Sequence, residues 1–196
     1  MPKNLNETDV IKVFLNNEIY DFSPKSLFMA IGTFDGVHLG HQKLIGEVIE
    51  QATGENGIAA AYTFRPHPTV ITHPANPKSM ICSFGEKYKK IGRYALAHIF
   101  EQQFDEKFSE ITPQDFLRFL SEKFPTLRGI CVGENFKFGH NRSGNARLLA
   151  AYSEKFGIFT TIVPSIRING ELVSSSKIRK LIDEGDSAAA NLMLGK

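Results

Sequence analysis

The chain has 196 residues, the size of a single α/β domain, and is long enough to bury a core without disulfides or structural metals. Its composition, 42% hydrophobic and 22% charged, is that of an ordinary globular protein, with nothing in it that suggests disorder. The 23 basic and 21 acidic residues leave a net charge of +2, so no global field marks a nucleic-acid binder or a membrane-surface protein, and anionic ligands have to be met locally.

Met1 to Asp9 is polar and lacks the apolar run of a signal peptide, and no window approaches the ~20 apolar residues of a membrane span. The expected compartment is the cytoplasm. Cys82 and Cys131, the only cysteines, form no close ligand pair and read as reduced, partly buried thiols.

Ser26 to Gly32 is a short apolar run closed by glycine, which predicts a strand buried on both faces. After a turn at Asp35-Gly36, Leu44, Ile45, Val48 and Ile49 fall on one side of a helix spanning Leu39 to Ala52, with Gly54 as its stop. Gly57 to Phe64 reads as a second buried strand. Pro66, Pro68, Pro74 and Pro77 then predict a loop, since each proline fixes φ and removes a donor. Phe84 to Arg93 reads as helix and Tyr94 to Phe100 as a third strand.

Thr112-Pro113 is an N-cap followed by a first-turn proline, and Phe116, Phe119 and Leu120 share the apolar face of a helix reaching Lys123. Gly129 to Val132 is a strand, Ser143 to Phe156 a helix, and Ile158 to Val163 a strand. Ser174 to Glu184 and Asp186 to Met193 close the chain as helices. This alternation predicts a Rossmann-like α/β fold: an open, mostly parallel sheet with helices on both faces, in one domain over residues 1–196. Ligands then belong at the carboxyl ends of the strands.

Four segments carry chemistry at those ends. In Gly32-Thr33-Phe34-Asp35-Gly36-Val37-His38-Leu39-Gly40-His41-Gln42, three glycines let the backbone approach a ligand closely. The helix that follows offers its N-terminus to phosphate, with two imidazoles on one face able to donate to it. A zinc reading of the pair needs third and fourth ligands, and His67, His73, His98 and His140 lack a close Cys/His or Glu-x-x-His partnering.

Ser174-Ser175-Ser176-Lys177-Ile178-Arg179 is a second helix N-terminus. Capping accounts for one serine but not three, and Lys177 and Arg179 in the first turns suit a polyphosphate. Gly133-Glu134-Asn135-Phe136-Lys137-Phe138-Gly139-His140-Asn141-Arg142-Ser143-Gly144 alternates glycines with aromatics and cations. That pattern serves either a tight loop with one aromatic in the core or a pocket for a flat ring and a phosphate. Thr63-Phe64-Arg65-Pro66-His67-Pro68 ends a strand in a stiff proline turn.

With these four segments in order, the chain resembles the adenylyltransferase module of the prokaryotic bifunctional riboflavin kinase/FAD synthetase family, within the HxGH nucleotidyltransferase superfamily. The resemblance runs from about Leu27 to Gly195. It implies transfer of the adenylyl group of ATP to FMN, giving FAD and pyrophosphate, with Mg2+ accompanying ATP; no residue is assigned as a metal ligand.

The implied catalytic residues are His38, His41, Asn135, Ser175, Ser176 and Arg179. The implied ATP contacts are Gly32, Thr33, Phe34, Asp35, Gly36 and Gly40, with the histidines, serines and arginine. The implied flavin contacts are Phe64, Pro66, His67, Pro68, Asn135, Phe136, Phe138 and Arg142. Many members carry Asp at the position of Asn135 and Thr at that of Ser176, and both differences retain polar function. The sequence stops at Leu194-Gly195-Lys196, where the bifunctional family continues into a riboflavin kinase domain, so no kinase activity is expected of it. Two alternatives stand beside this reading: an HxGH transferase for another phosphomonoester, and a non-catalytic flavin or nucleotide sensor.

Overall fold

A computed structural model describes the backbone of residues 11–14 and, with side chains, residues 18–196. The polar Met1 to Asp9 segment lies outside the described residues. Among the described residues ten strands occur: β1 (Ile11–Phe14), β2 (Leu27–Ile31), β3 (Ile58–Arg65), β4 (His98–Gln103), β5 (Leu127–Gly133), β6 (Lys137–Phe138), β7 (Gly144–Asn145), β8 (Phe159–Val163), β9 (Arg167–Ile168) and β10 (Glu171–Leu172). The helices are α1 (Leu39–Gly54), α2 (Pro68–Thr72), α3 (Phe84–Ile91), α4 (Glu106–Ser109), α5 (Pro113–Lys123), α6 (Ala146–Ser153), α7 (Ser175–Asp183) and α8 (Ser187–Leu194).

Six strands form one sheet in the order β1-β4-β3-β2-β5-β8, and every pair in it is parallel. The strand alternation divides the core. Leu27, Met29 and Ile31 of β2 face one layer with Phe116, Leu117 and Leu120 of α5 and Leu149 of α6. Phe28 and Ala30 face the other, with Leu44, Ile45 and Val48 of α1 and Ile91 of α3. Burial on both faces is why these strands read as unbroken apolar runs. Cys82 and Cys131 are free and buried.

The chain leaves β2 toward β3 and β4 on one side, then returns to place β5 on the other. The sheet therefore reverses direction between β2 and β5, which is where a parallel sheet opens a ligand crevice beyond its carboxyl ends.

Caps set the helix starts that position the site. Thr112, Ser174 and Asp186 cap α5, α7 and α8 as their hydroxyl and carboxylate groups suit them to do. Several boundaries differ from the sequence expectation. Within the proline stretch, Pro68 opens α2 with His67 as its cap, because a proline at the first helical position loses nothing. The third strand starts at His98 rather than Tyr94, as Leu96 N–H turns back to the Tyr94 carbonyl at 2.7 Å. The helix expected from Ser143 starts at Ala146, since Asn145 Oδ1 caps Leu148 N at 2.9 Å. Strand β1, helix α4 and the two ribbons β6-β7 and β9-β10 had no sequence signal strong enough to place them.

Candidate active site

Beyond β2 the chain makes a tight 3-10 turn over Asp35–Val37, with Phe34, Gly36 and Val37 all at positive φ. Gly36 is required there: its φ is +81°, and a Cβ would lie 2.9 Å from Ile81. The turn delivers His38 as the cap of α1, its Nδ1 accepting from His41 N at 3.3 Å. That acceptor role places the His38 proton on Nε2. The two imidazoles stack with centroids 3.7 Å apart at 16°. Gly40 makes room for this, as a Cβ there would lie 3.2 Å from the His38 ring.

Both rings are neutral when no ligand is bound. Burial carries the His38 pKa from 6.5 down to about 4; Asp35 opposes the change and Arg179 adds to it. His41 is held well below its ordinary value by burial, and then by its neighbours His38 and Lys87. Its Nδ1 is buried with no partner among the described residues.

The N-terminus of α7 faces this turn, and its three serines have three tasks. Ser174 Oγ caps Lys177 N at 3.2 Å, Ser175 Oγ donates to the Asp35 carbonyl at 3.2 Å, and Ser176 Oγ accepts from Lys78 Nζ at 3.3 Å. Arg179 reaches under the turn. Its Nη2 donates to Asp35 Oδ2 at 2.6 Å and its Nε to the Ser79 carbonyl at 2.6 Å. Asp35, fully buried, also accepts from Ile81 N at 3.0 Å and Cys82 N at 3.4 Å. Asp35 is thus a clasp joining the histidine turn, the 79–82 segment and α7. Lys177 pairs with Glu171 at 3.2 Å, outside the cavity lining.

These groups form one side of a cavity of about 420 Å³ at the carboxyl ends of β2, β3, β5 and β8. His38, His41, Asn135, Ser175, Ser176 and Arg179 all line it, as do Gly32, Thr33, Gly40, Phe64, His67, Pro68, Phe136, Phe138 and Arg142. Phe34, Asp35 and Gly36 lie buried beneath the lining rather than in it, and Pro66 is also outside it.

The opposite side is aromatic. Phe64 meets Phe104 edge-on at 5.8 Å, and Phe108 meets Phe116 at 6.3 Å. Phe136 stacks on Phe138 at 5.6 Å, and Phe138 packs against Phe116 at 5.4 Å. In the Gly133 to Gly144 loop Phe138 is buried in the core, as the tight-loop reading expects, and the loop also walls the cavity. Asn135 Nδ2 donates to Ser165 Oγ at 3.1 Å, joining the loops after β5 and β8.

Phe104, Phe108, Ile111 and Lys78 were not anticipated as lining residues. The density of phenylalanine between positions 100 and 119 was a signal for the first two; for Lys78 there was none. His73, His98 and His140 stay out of the lining, and no group of three or more His, Cys, Asp or Glu among the described residues is placed to hold a metal.

The parallel sheet thus opens at its reversal point onto a glycine-framed histidine pair, opposite a hydroxyl-rich helix N-terminus. The sequence profile of the FAD synthetase family matches residues 22–177, and the chain belongs to that family. It is 31% identical over 172 residues to the FAD synthetase of Listeria monocytogenes, covering 87% of this chain and 69% of that protein. It is 30% identical over 168 residues to a bifunctional riboflavin kinase/FMN adenylyltransferase of Buchnera aphidicola, covering 86% of this chain and 54% of the relative. The chain thus spans about half the length of that bifunctional relative.

A crystal structure from Streptococcus pneumoniae, described as a macrolide-efflux protein, superimposes with a TM-score of 0.81 at 25% identity, covering 95% of this chain and 62% of that one. No helix among the described residues of this chain is long and apolar enough to cross a membrane.

Proposed function

We propose that this chain transfers the adenylyl group of ATP to FMN, releasing pyrophosphate and FAD. The observation that carries the reading is the two-sided cavity, in which an aromatic wall suited to a flat ring runs into a wall of N–H, hydroxyl and cationic donors. Phe64, His67, Pro68, Phe136, Phe138 and Arg142 are assigned to FMN, joined by Phe104 and Phe108. Gly32, Thr33, Gly40, the histidines, Ser175, Ser176 and Arg179 are assigned to ATP. Asn135 lies between them.

An oxygen of the FMN phosphate attacks the α-phosphorus of ATP. The bond from that phosphorus to the α,β-bridging oxygen breaks, and its electron pair leaves with pyrophosphate. The nucleophile is already an anion, so no covalent enzyme intermediate and no strong base are needed. Catalysis is alignment plus stabilisation of developing charge. His38 contributes the Nε2–H left by its capping role, and His41 adds a second neutral N–H donor. Arg179, with Nε and Nη2 engaged, has Nη1 left for phosphate.

Among the described residues Glu134 is the sole carboxylate in the lining, a donor set that fits a dication carried by ATP phosphates and water rather than a protein cage. Mg2+ bound in that way would supply charge screening to the phosphates, leaving their alignment to the residues of the donor wall. The proposed site of action is the cytoplasm.

The test is direct: purified protein with Mg2+, ATP and FMN, followed by chromatography for FAD and assay of pyrophosphate. Adenylylation of another phosphomonoester without FAD overturns the acceptor. Tight binding of FMN and ATP with no pyrophosphate released establishes a sensor instead.

A further inference from the structure

One cation at the α7 end of the cavity belongs to neither the histidine turn nor the serine segment. Lys78 comes from the chain between α2 and α3, and its Nζ rests 3.3 Å from Ser176 Oγ. The residue is exposed and makes no ion pair among the described residues. Its ammonium pKa is lowered by partial desolvation and by the proximity of Arg179 and Arg142, the mark of a cation held among cations.

Arg179 differs, because two of its nitrogens are already engaged by Asp35 and Ser79. Lys78, Ser176 and Arg179 also line an adjoining open groove of about 400 Å³ that continues over Lys180, Asp183 and Glu184. In that groove Lys180 is paired with Glu184 at 3.6 Å. Lys78 therefore stands where the cavity meets the outer groove, its Nζ beside the N-terminus of α7.

We propose that Lys78 binds the β- and γ-phosphates of ATP and, after transfer, holds pyrophosphate at the mouth of the outer groove. The inference rests on the adenylyl-transfer reading. Ser176 Oγ, now an acceptor for Lys78, turns to donate to a phosphate oxygen when the ammonium moves onto the anion. The lysine enters from a segment separate from α7, so it can follow pyrophosphate outward while Arg179 stays fixed to Asp35.

The experiment measures binding of Mg2+-pyrophosphate by titration calorimetry to the wild type, Lys78→Ala and Lys78→Arg. It is paired with the reverse reaction of FAD and pyrophosphate. Lys78→Ala should weaken pyrophosphate binding by about ten- to a hundredfold, the scale of one lost charge-assisted hydrogen bond. The KM for pyrophosphate should rise in parallel, with the KM for FAD within about twofold and Lys78→Arg restoring most of the loss.

Equal pyrophosphate affinity in the wild type and Lys78→Ala overturns the proposal, as does a wild type that binds no pyrophosphate. A Lys78-dependent affinity in a protein that forms no FAD sustains the phosphate site and defeats the adenylyl-transfer reading alone. The position is exposed, so the substitution leaves the core intact.

Discussion

Acidification tests whether the histidine pair is neutral in the folded protein. An unfolded chain takes up the His38 proton near 6.5, whereas burial lowers this to about 4 in the native state. A depressed native pKa contributes stability that is complete above 6.5 and is lost as pH falls through the window from 6.5 to 4. One pH unit of depression is worth about 1.4 kcal/mol, so His38 withdraws about 2 kcal/mol between pH 7 and 5, and about 3 kcal/mol by pH 4.

The assay is urea unfolding at pH 7 and pH 5 of the wild type and His38→Asn. Asparagine is a favoured cap whose amide oxygen can accept from His41 N, so the variant removes the titrating ring and keeps the helix start. The wild type should lose about 2 kcal/mol more than the variant across that interval. His67, lowered to about 4 chiefly by burial, and His98, also lowered by burial, titrate in both proteins and drop out of the comparison. Parallel losses in the two proteins would refute a buried, neutral His38.

Two further outcomes follow from the same geometry. Asp35→Ala leaves Arg179 buried without its carboxylate and orphans the Ile81 and Cys82 N–H groups, so urea unfolding should show a loss of about 3 to 5 kcal/mol. A loss below about 1 kcal/mol would show that the clasp holds nothing. His41→Ala removes one fixed donor from the phosphate wall and should lower kcat for FAD formation by roughly 10² or more, with FMN affinity retained. Unchanged turnover would remove His41 from the reaction.

Features set by short-range chemistry were legible before any fold was known. The helix over Leu39 to Ala52 follows from its apolar spacing, and that of α5 from Thr112-Pro113 followed by Phe116, Phe119 and Leu120. Each depends on neighbours within a turn or two. Strand β2 declared itself because both its faces are buried. The proline stretch misled, because Pro68 occupies the first-turn position where proline starts a helix. Strand β4 ran on through Glu101 and Gln102 because β3 supplies the ladder, which its own polar residues do not advertise.

At the site, the sequence alone determined the glycine-framed His38-Leu39-Gly40-His41 and the serine-rich start of α7, since each is a contiguous motif. Tertiary structure decided what those residues face. Asp35 pairs with Arg179, 144 positions away. Phe104 and Phe108 join the cavity from a phenylalanine-rich segment whose pattern does not say what it faces, and Lys78 joins it from a segment with no signal at all. The protonation state of the histidine pair also waited on the fold, because an imidazole's charge is set by its burial and by the cations around it. Those surroundings are assembled only when distant parts of the chain pack together.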